Sequence, residues 1–175
     1  MANPTMTLIG SPIVVGSGGA SSVTFSSIPS TYTDIQLFLS GRSTGGTTQD
    51  YVAVQFNASG GTAYSDKRFE GTGSSVGSTS DTSQNVIYSA YVATGSTATA
   101  STFGNTSFYI PNYAGSSNKS VSIEGVTENN GTVAYATLTV ALWANSAAIT
   151  QIVFTLGNGN FAQYSTFYLY GINNS

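Results

Sequence analysis

The acidic side chains are the first residues to consider for chemistry, because the sequence has seven of them and neither histidine nor cysteine. Two pairs are spaced by four residues, Asp66 with Glu70 and Glu124 with Glu128. Paired carboxylates cleave glycosidic bonds when they lie about 5 to 10 Å apart across a sugar. On a strand, residues four apart are separated by about 13 Å. We therefore expect these acids to be solvated loop charges, and we predict that the protein is not an enzyme.

Metal, nucleic-acid and membrane partners have little support in the composition. Without cysteine or histidine there is no thiolate or imidazole ligand, and a calcium site would need convergent oxygens. Asp50, Asn57, Asp66 and Glu70 could supply such oxygens, but their spacing matches no EF-hand-like loop. Four basic residues and a pI near 4.4 leave no patch for phosphate backbones. No segment approaches the roughly 20 apolar residues of a membrane span. We predict no cofactor, no metal, no nucleic acid and no membrane partner.

Four aromatic side chains are candidates for a ligand site or an interface: Trp143, Tyr135, Tyr168 and Tyr170. Trp143 is the only tryptophan and shares a strand face with Tyr135, whereas Tyr168 and Tyr170 lie together on the last apolar run. Aromatic rings beside amides can stack on sugar faces, and they are also enriched in subunit interfaces. A third interpretation is that the rings close the ends of a core. All three interpretations stay open.

The strand pattern is clearest in residues 133–172, where three runs read VAYATLTVALW, ITQIVFTL and STFYLYGI. Apolar residues alternate with polar or small ones, which is typical of strands with one buried face. The short connections favour antiparallel neighbours, so we predict a three-stranded meander. On this assignment, Leu138→Ala should cost roughly 2 to 5 kcal/mol. The residues predicted to face inward here and on two earlier strands are Ile35, Leu37, Leu39, Val52, Val54, Phe56, Leu138, Val140, Leu142, Ile152, Phe154 and Leu156.

The whole chain predicts an all-β fold with about ten short strands, arranged as an antiparallel two-sheet β-sandwich of jelly-roll-like type. Residues 21–175 form its single domain. The Gly- and Ser-rich residues 71–83 predict a long exposed loop, and Asn-Gly within residues 128–131 predicts a turn.

Residues 1–20 are either an N-terminal arm or an edge strand. Their apolar side chains are too few to form a core, and a Gly-rich hinge follows them. We expect the arm to contact a neighbouring molecule, as in strand addition to an exposed sheet edge; the alternative is an edge strand of its own domain. The residues of this predicted assembly arm are Met6, Leu8, Ile9, Ile13, Val14 and Val15.

Four segments resemble a module of tailed-bacteriophage virion proteins: SSVTFSSIPSTYTDIQLFLSGRS, VAVQFN, FYIPNYAGSSNKS and ITQIVFTLGNGNFAQYSTFYLYGI. The resemblance runs from about residue 21 to residue 172 and implies no catalytic residue.

The resemblance implies a virion structural protein that decorates or reinforces the capsid or tail, located in the virion after assembly in the host cytoplasm. The expected partners are other virion proteins and further copies of the chain, a trimer being one form of homo-oligomer. The alternative is a receptor-binding tail-fibre or tail-tip module that recognises cell-surface carbohydrate. A chain with only 6% charged residues suits a protein that packs against others.

Overall fold

The structure is a computed structural model that describes residues 5–127 and 135–173. These two ranges contain thirteen β-strands and no helix, and therefore no helix that could span a membrane. The strands form two antiparallel sheets, which confirms the predicted all-β sandwich. The predicted number of about ten strands was too low.

The larger sheet has nine strands and the smaller one has four. Across the larger sheet the order is β1 (Met6–Leu8), β13 (Thr166–Ile172), β4 (Asp34–Gly41), β9 (Gly104–Ile110), β10 (Lys119–Thr127), β11 (Tyr135–Trp143), β6 (Tyr64–Gly71) and β7 (Val76–Gln84), with β2 (Ile13–Val14) also paired to β13. Across the smaller sheet the order is β3 (Ser22–Phe25), β12 (Ile152–Leu156), β5 (Gln49–Phe56) and β8 (Ile87–Thr94).

The core between the sheets is built largely from the residues that alternation predicted to face inward. Phe154 lies at its centre, with its ring centroid 5.4 Å from that of Phe108 and 5.6 Å from that of Phe167. Leu156 is half-buried against this core. The predicted inward residues that are buried are Ile35, Leu37, Leu39, Val52, Val54, Phe56, Ile152 and Phe154.

The inward face predicted for β11 is wrong. Leu138, Val140 and Leu142 are 40%, 42% and 39% exposed, while Thr139 and Trp143 on the opposite face are buried. Burial along β11 alternates with the predicted period of two residues, but the buried face is the one that carries Thr137 and Thr139.

The reason lies in the edge of the smaller sheet. Strand β8 ends that sheet, and the inner face of the larger sheet packs against its open edge. The backbone groups on this edge have no neighbouring strand, so side chains must pair with them. The Ala90 N–H donates to Thr139 Oγ1 at 3.1 Å, and the Thr127 hydroxyl donates to the Tyr91 carbonyl. Threonine can pair with such groups and leucine cannot, which places the leucines of β11 outside.

The predicted meander of the last three strands is also wrong. Strand β11 pairs with β10 and β6, whereas β12 lies in the other sheet and β13 returns to the first sheet beside β4. Short connections permit a chain to cross from one sheet to the other as readily as to turn back, and alternation does not separate the two cases. The meander of this fold is β9–β10–β11.

Two strands lie where the sequence predicted loops. Strand β6 contains the charged residues Asp66, Lys67, Arg68 and Glu70, which were expected to lie in a loop. Strand β7 covers most of residues 71–83. Strand β7 is an edge strand whose residues are mostly exposed on both faces, so no apolar alternation marks it. The turn predicted at residues 128–131 lies outside the described residues.

The N-terminal segment forms edge strands of its own domain, which is the alternative that the sequence left open. Its contact with a neighbouring molecule stays a prediction. Strands β1 and β2 both pair antiparallel with β13, which satisfies the backbone on one side of β13. Within the predicted arm, Val15 is buried and Ile9 and Ile13 are half-buried. The exposed side chains of the predicted arm are Met6, Leu8 and Val14.

The assignment of β11 can be tested with two adjacent residues. We expect Leu138→Ala to cost less than about 1 kcal/mol, because the side chain is already partly solvated. Thr139→Val keeps the side-chain volume but leaves the buried Ala90 N–H without its acceptor, which should cost about 1 to 3 kcal/mol. Chemical denaturation of both variants measures the two costs. A larger loss for Leu138→Ala than for Thr139→Val would contradict the assignment.

Candidate functional site

The four aromatic candidates from the sequence do not form one site. Trp143 is fully buried and stacks on Tyr64, with ring centroids 6.1 Å apart, so it is a core residue. Tyr135 is half-buried at the start of the same strand, on the inward side. Tyr168 and Tyr170 lie on the outer face of the larger sheet, at its opposite end.

A ridge of apolar side chains follows β11 on the outer face of the larger sheet. In register, Leu138 lies between Phe69 of β6 and Glu124 of β10, and Leu142 lies between Ser65 and Ser120. The apolar side chains of this ridge are about two-fifths exposed. We call this surface the outer apolar face; its residues are Phe69, Val126, Leu138, Val140 and Leu142.

The centre of that sheet carries little charge. On the outer sides of β9 and β10 the only charged residue is Glu124. Beyond this polar strip, a second apolar group comprises Phe38, Tyr168 and Tyr170 with the exposed side chains of β1, and the rings of Phe38 and Tyr170 meet edge to face at 6.0 Å. The sheet therefore presents two apolar areas separated by a mostly polar strip in which Glu124 is the only charged residue.

A groove of about 210 Å³ lies where β6 and β7 project past the edge of the smaller sheet. Tyr51 of β5 and Tyr91 of β8 are paired in register there, and the Tyr51 ring meets that of Tyr88 edge to face at 5.3 Å. We call it the tyrosine groove. Its lining residues are Tyr51, Arg68, Glu70, Thr79, Ser89, Ala90 and Tyr91.

Charged side chains from β6 and β7 form a network at the groove. Arg68 pairs with Asp81, and its Nε lies 3.5 Å from Oδ1 of Asp66. The guanidinium also lies 5.6 Å from the ring centroid of Tyr88. Asp66 is 2% exposed and its Oδ2 accepts the Tyr88 N–H at 3.1 Å, so the expectation that these acids are solvated loop charges is wrong for Asp66.

Burial raises the pKa of the Asp66 carboxyl, because desolvation disfavours its charged form. The Tyr88 N–H and the Arg68 charge act in the opposite direction, and Asp81 raises the pKa further. Burial likewise raises the pKa of the Tyr51 phenol, with the neighbouring Tyr88, Asp50 and Tyr91 adding to the effect.

The oxygens considered for calcium serve separate local structures. Asp50 accepts hydrogen bonds from the Ser43 hydroxyl at 2.8 Å and from the Asn158 N–H. Asn57 accepts from the N–H groups of Thr150 and Gln151. Among residues 5–127 and 135–173, no group of three or more acidic side chains is arranged to hold a metal ion.

The sequence did not predict the tyrosine groove, because residues 58–71 were expected to form a loop. The available signal was the alternation in YSDKRFEG, which places Asp66, Arg68 and Glu70 on one face of a strand. The pairing of that face with Tyr88 and Tyr91 follows from the packing of the sheets, which alternation does not report.

No protein-family model matches the sequence, and no curated protein is significantly similar to it. Among solved structures, the chain is similar to one described as the CBM2 module of Lactobacillus casei BL23 phage J-1 evolved Dit. The identity is 14%, and the match covers 88% of this chain and 69% of that chain. The TM-score is 0.17, so this likeness carries no inference about the present chain.

The burial of Asp66 predicts a specific pH dependence. Because the folded protein holds the Asp66 proton more tightly than the unfolded chain, the stability due to that proton is present below the ordinary pKa of 3.8 and is lost as pH rises through the raised folded-state pKa. Asp66→Asn cannot titrate. We therefore expect the unfolding free energy of the wild type, relative to Asp66→Asn, to fall as pH rises across this window. Denaturation at pH values from about 3 to about 8 measures the difference; a difference that rose with pH would contradict the account.

Proposed function

We propose that this chain is a structural protein of a tailed-bacteriophage virion that decorates or reinforces the capsid or tail surface through protein–protein contacts. The observation that supports the proposal most directly is the outer apolar face. Its five apolar side chains come from three adjacent strands, β6, β10 and β11, and each is about two-fifths exposed. Large contiguous apolar patches on soluble proteins mark interaction surfaces.

The partner can be another copy of the chain or a neighbouring virion protein. Lys67 and Glu124 flank the ridge on opposite sides. A partner bound to the outer apolar face would therefore lie beside one positive and one negative charge. Charges at the rim fix the register of an interface more than its affinity. Such a function requires no catalytic group, in agreement with the prediction that the protein is not an enzyme.

The proposal can be tested with the double variant Leu138→Lys, Val140→Lys. Both side chains point into solvent, so we expect a folded protein with near-wild-type thermal stability. Two ammonium groups in an apolar contact area would have to be desolvated on assembly, which should abolish the contact. Analytical ultracentrifugation measures self-association, and quantitative immunoblotting of purified particles measures incorporation into virions.

Thr24→Lys is the matched control, because Thr24 is exposed on the outer side of the smaller sheet, away from the ridge. We expect this variant to assemble normally. Wild-type incorporation and self-association of the double variant would contradict the proposed role of the outer apolar face.

A further inference from the structure

We infer that the tyrosine groove is a binding site for a neutral saccharide, holding one pyranose ring of a longer glycan. The groove uses the inner face of β6 and β7 and the exposed side of the smaller sheet, whereas the outer apolar face lies on the other side of β6. The inference therefore does not rest on the proposed assembly function.

The first argument is the arrangement of the aromatic rings. Tyr91 is 40% exposed and Tyr51 is half-exposed, so both present ring surface to the groove. The C–H faces of a pyranose pack on such rings, while its hydroxyls point to the sides.

The Tyr51 ring is fixed before any ligand arrives. It meets Tyr88 on one side and the backbone of Gly157 on another, where an added Cβ would lie 2.2 Å from the ring. Only glycine leaves room for the ring in this position. A ring that is already held loses little rotamer freedom on binding, which favours affinity for a small ligand.

The polar groups of the groove suit sugar hydroxyls. Within the described part of the chain, no hydrogen bond engages the Glu70 carboxylate, the Thr79 hydroxyl or the phenol oxygens of Tyr51 and Tyr91. A carboxylate accepts hydrogen bonds from two adjacent hydroxyls, and the other three groups can donate or accept.

The charge of the groove selects against acidic ligands. Arg68 is already paired with Asp81 and Asp66, so it is not available to a ligand anion. With Glu70 the local carboxylates outnumber the one guanidinium, and a uronate, sulfate or phosphate would be repelled.

The size of the groove favours a sugar ring over a protein surface. Its volume of about 210 Å³ is below the roughly 300 to 1,000 Å³ of drug-sized pockets. Stable protein interfaces bury about 800 Å² on each partner, a surface far larger than one groove of this size provides.

The test is a titration of the protein with each of five sugars: glucose, galactose, rhamnose, N-acetylglucosamine and glucuronate. Saturation-transfer NMR measures the binding. We expect at least one neutral sugar to bind with a dissociation constant on the order of millimolar, and glucuronate to bind more weakly. Tyr91→Ala removes a stacking surface without touching the core and should weaken binding by roughly tenfold. Glu70→Gln keeps the shape and should also weaken it, because a neutral amide accepts hydrogen bonds less strongly.

Tyr164→Asn is the control, because Tyr164 is a highly exposed tyrosine outside the groove and asparagine tolerates its positive φ. It should bind as the wild type does. Circular dichroism establishes that each variant is folded. Absence of binding by every neutral sugar at about 50 mM, far above a millimolar dissociation constant, would overturn the inference. Sugar binding that is unchanged in both Tyr91→Ala and Glu70→Gln would also overturn the inference. If no sugar binds and Tyr91→Ala is no longer incorporated into virions, the groove is a protein contact and the inference is wrong.

Discussion

A chain that lacks residues 2–15 should unfold about 10 °C or more below the wild type, because the segment completes the larger sheet. The backbone of this segment forms hydrogen bonds with β13 and the residue before it. The Ile9 N–H donates to the Leu169 carbonyl at 2.8 Å, and the Val15 N–H donates to the Ser165 carbonyl at 2.9 Å. The deletion also exposes the edge of β13 and removes the buried Val15, a side chain whose burial stabilises by about 1.5 to 3 kcal/mol. Differential scanning calorimetry measures the change.

The control is the double substitution Met6→Ser, Leu8→Ser. It removes the exposed apolar side chains of β1 but keeps the backbone pairing with β13, so we expect little change in melting temperature. If the deletion leaves the melting temperature unchanged but prevents oligomerisation or incorporation into virions, the segment is an assembly arm after all.

Trp143→Ala should cost about 3 to 5 kcal/mol of unfolding free energy, because it empties the centre of a packed aromatic group. The indole is fully buried, stacks on Tyr64 and meets Phe56 at 5.5 Å between ring centroids. Tyr64 is itself fixed through its hydroxyl, which accepts the Phe56 N–H at 2.9 Å. Trp143 is the only tryptophan, so the variant has no tryptophan fluorescence. Circular dichroism should therefore be used to follow the unfolding of both the wild type and the variant.

Trp143→Phe separates packing from hydrogen bonding. The indole Nε1 is buried and has no hydrogen-bond partner among the described residues, so phenylalanine removes a polar group that is already unsatisfied. We expect this variant to lose clearly less stability than Trp143→Ala. If Trp143→Ala costs less than about 1 kcal/mol, the residue is not a core residue and the ligand interpretation returns.

Alternation predicted the strands that have one apolar and one polar face. It predicted the buried faces of β4, β5 and β12 correctly, because the large apolar side chains recur there at every second residue, as in Ile35, Leu37 and Leu39 of β4. It chose the wrong face of β11, because Leu138 and Val140 are more apolar than Thr139. The requirement that overrides hydrophobicity there is the unpaired edge of β8, which can be identified only after the two sheets have been packed.

The sites were harder to predict than the fold. Trp143 is the only tryptophan and was therefore a candidate for a ligand site, but it is a buried residue of the core. The groove residues Tyr51, Arg68 and Tyr91 come from three different strands, and the pairing of β5 with β8 and the projection of β6 bring them together. The β11 part of the outer apolar face, Leu138, Val140 and Leu142, was present in the sequence as an alternating run, but the sequence predicted it to face inward.

The most direct test of the assembly surface is a density map of the virion at a resolution that shows side chains. We predict that Phe69, Leu138 and Val140 are buried against a neighbouring subunit or another virion protein, with the tyrosine groove open to solvent. A map that shows this chain in the particle with its outer apolar face in contact with solvent, and with its contacts made elsewhere, would contradict the account.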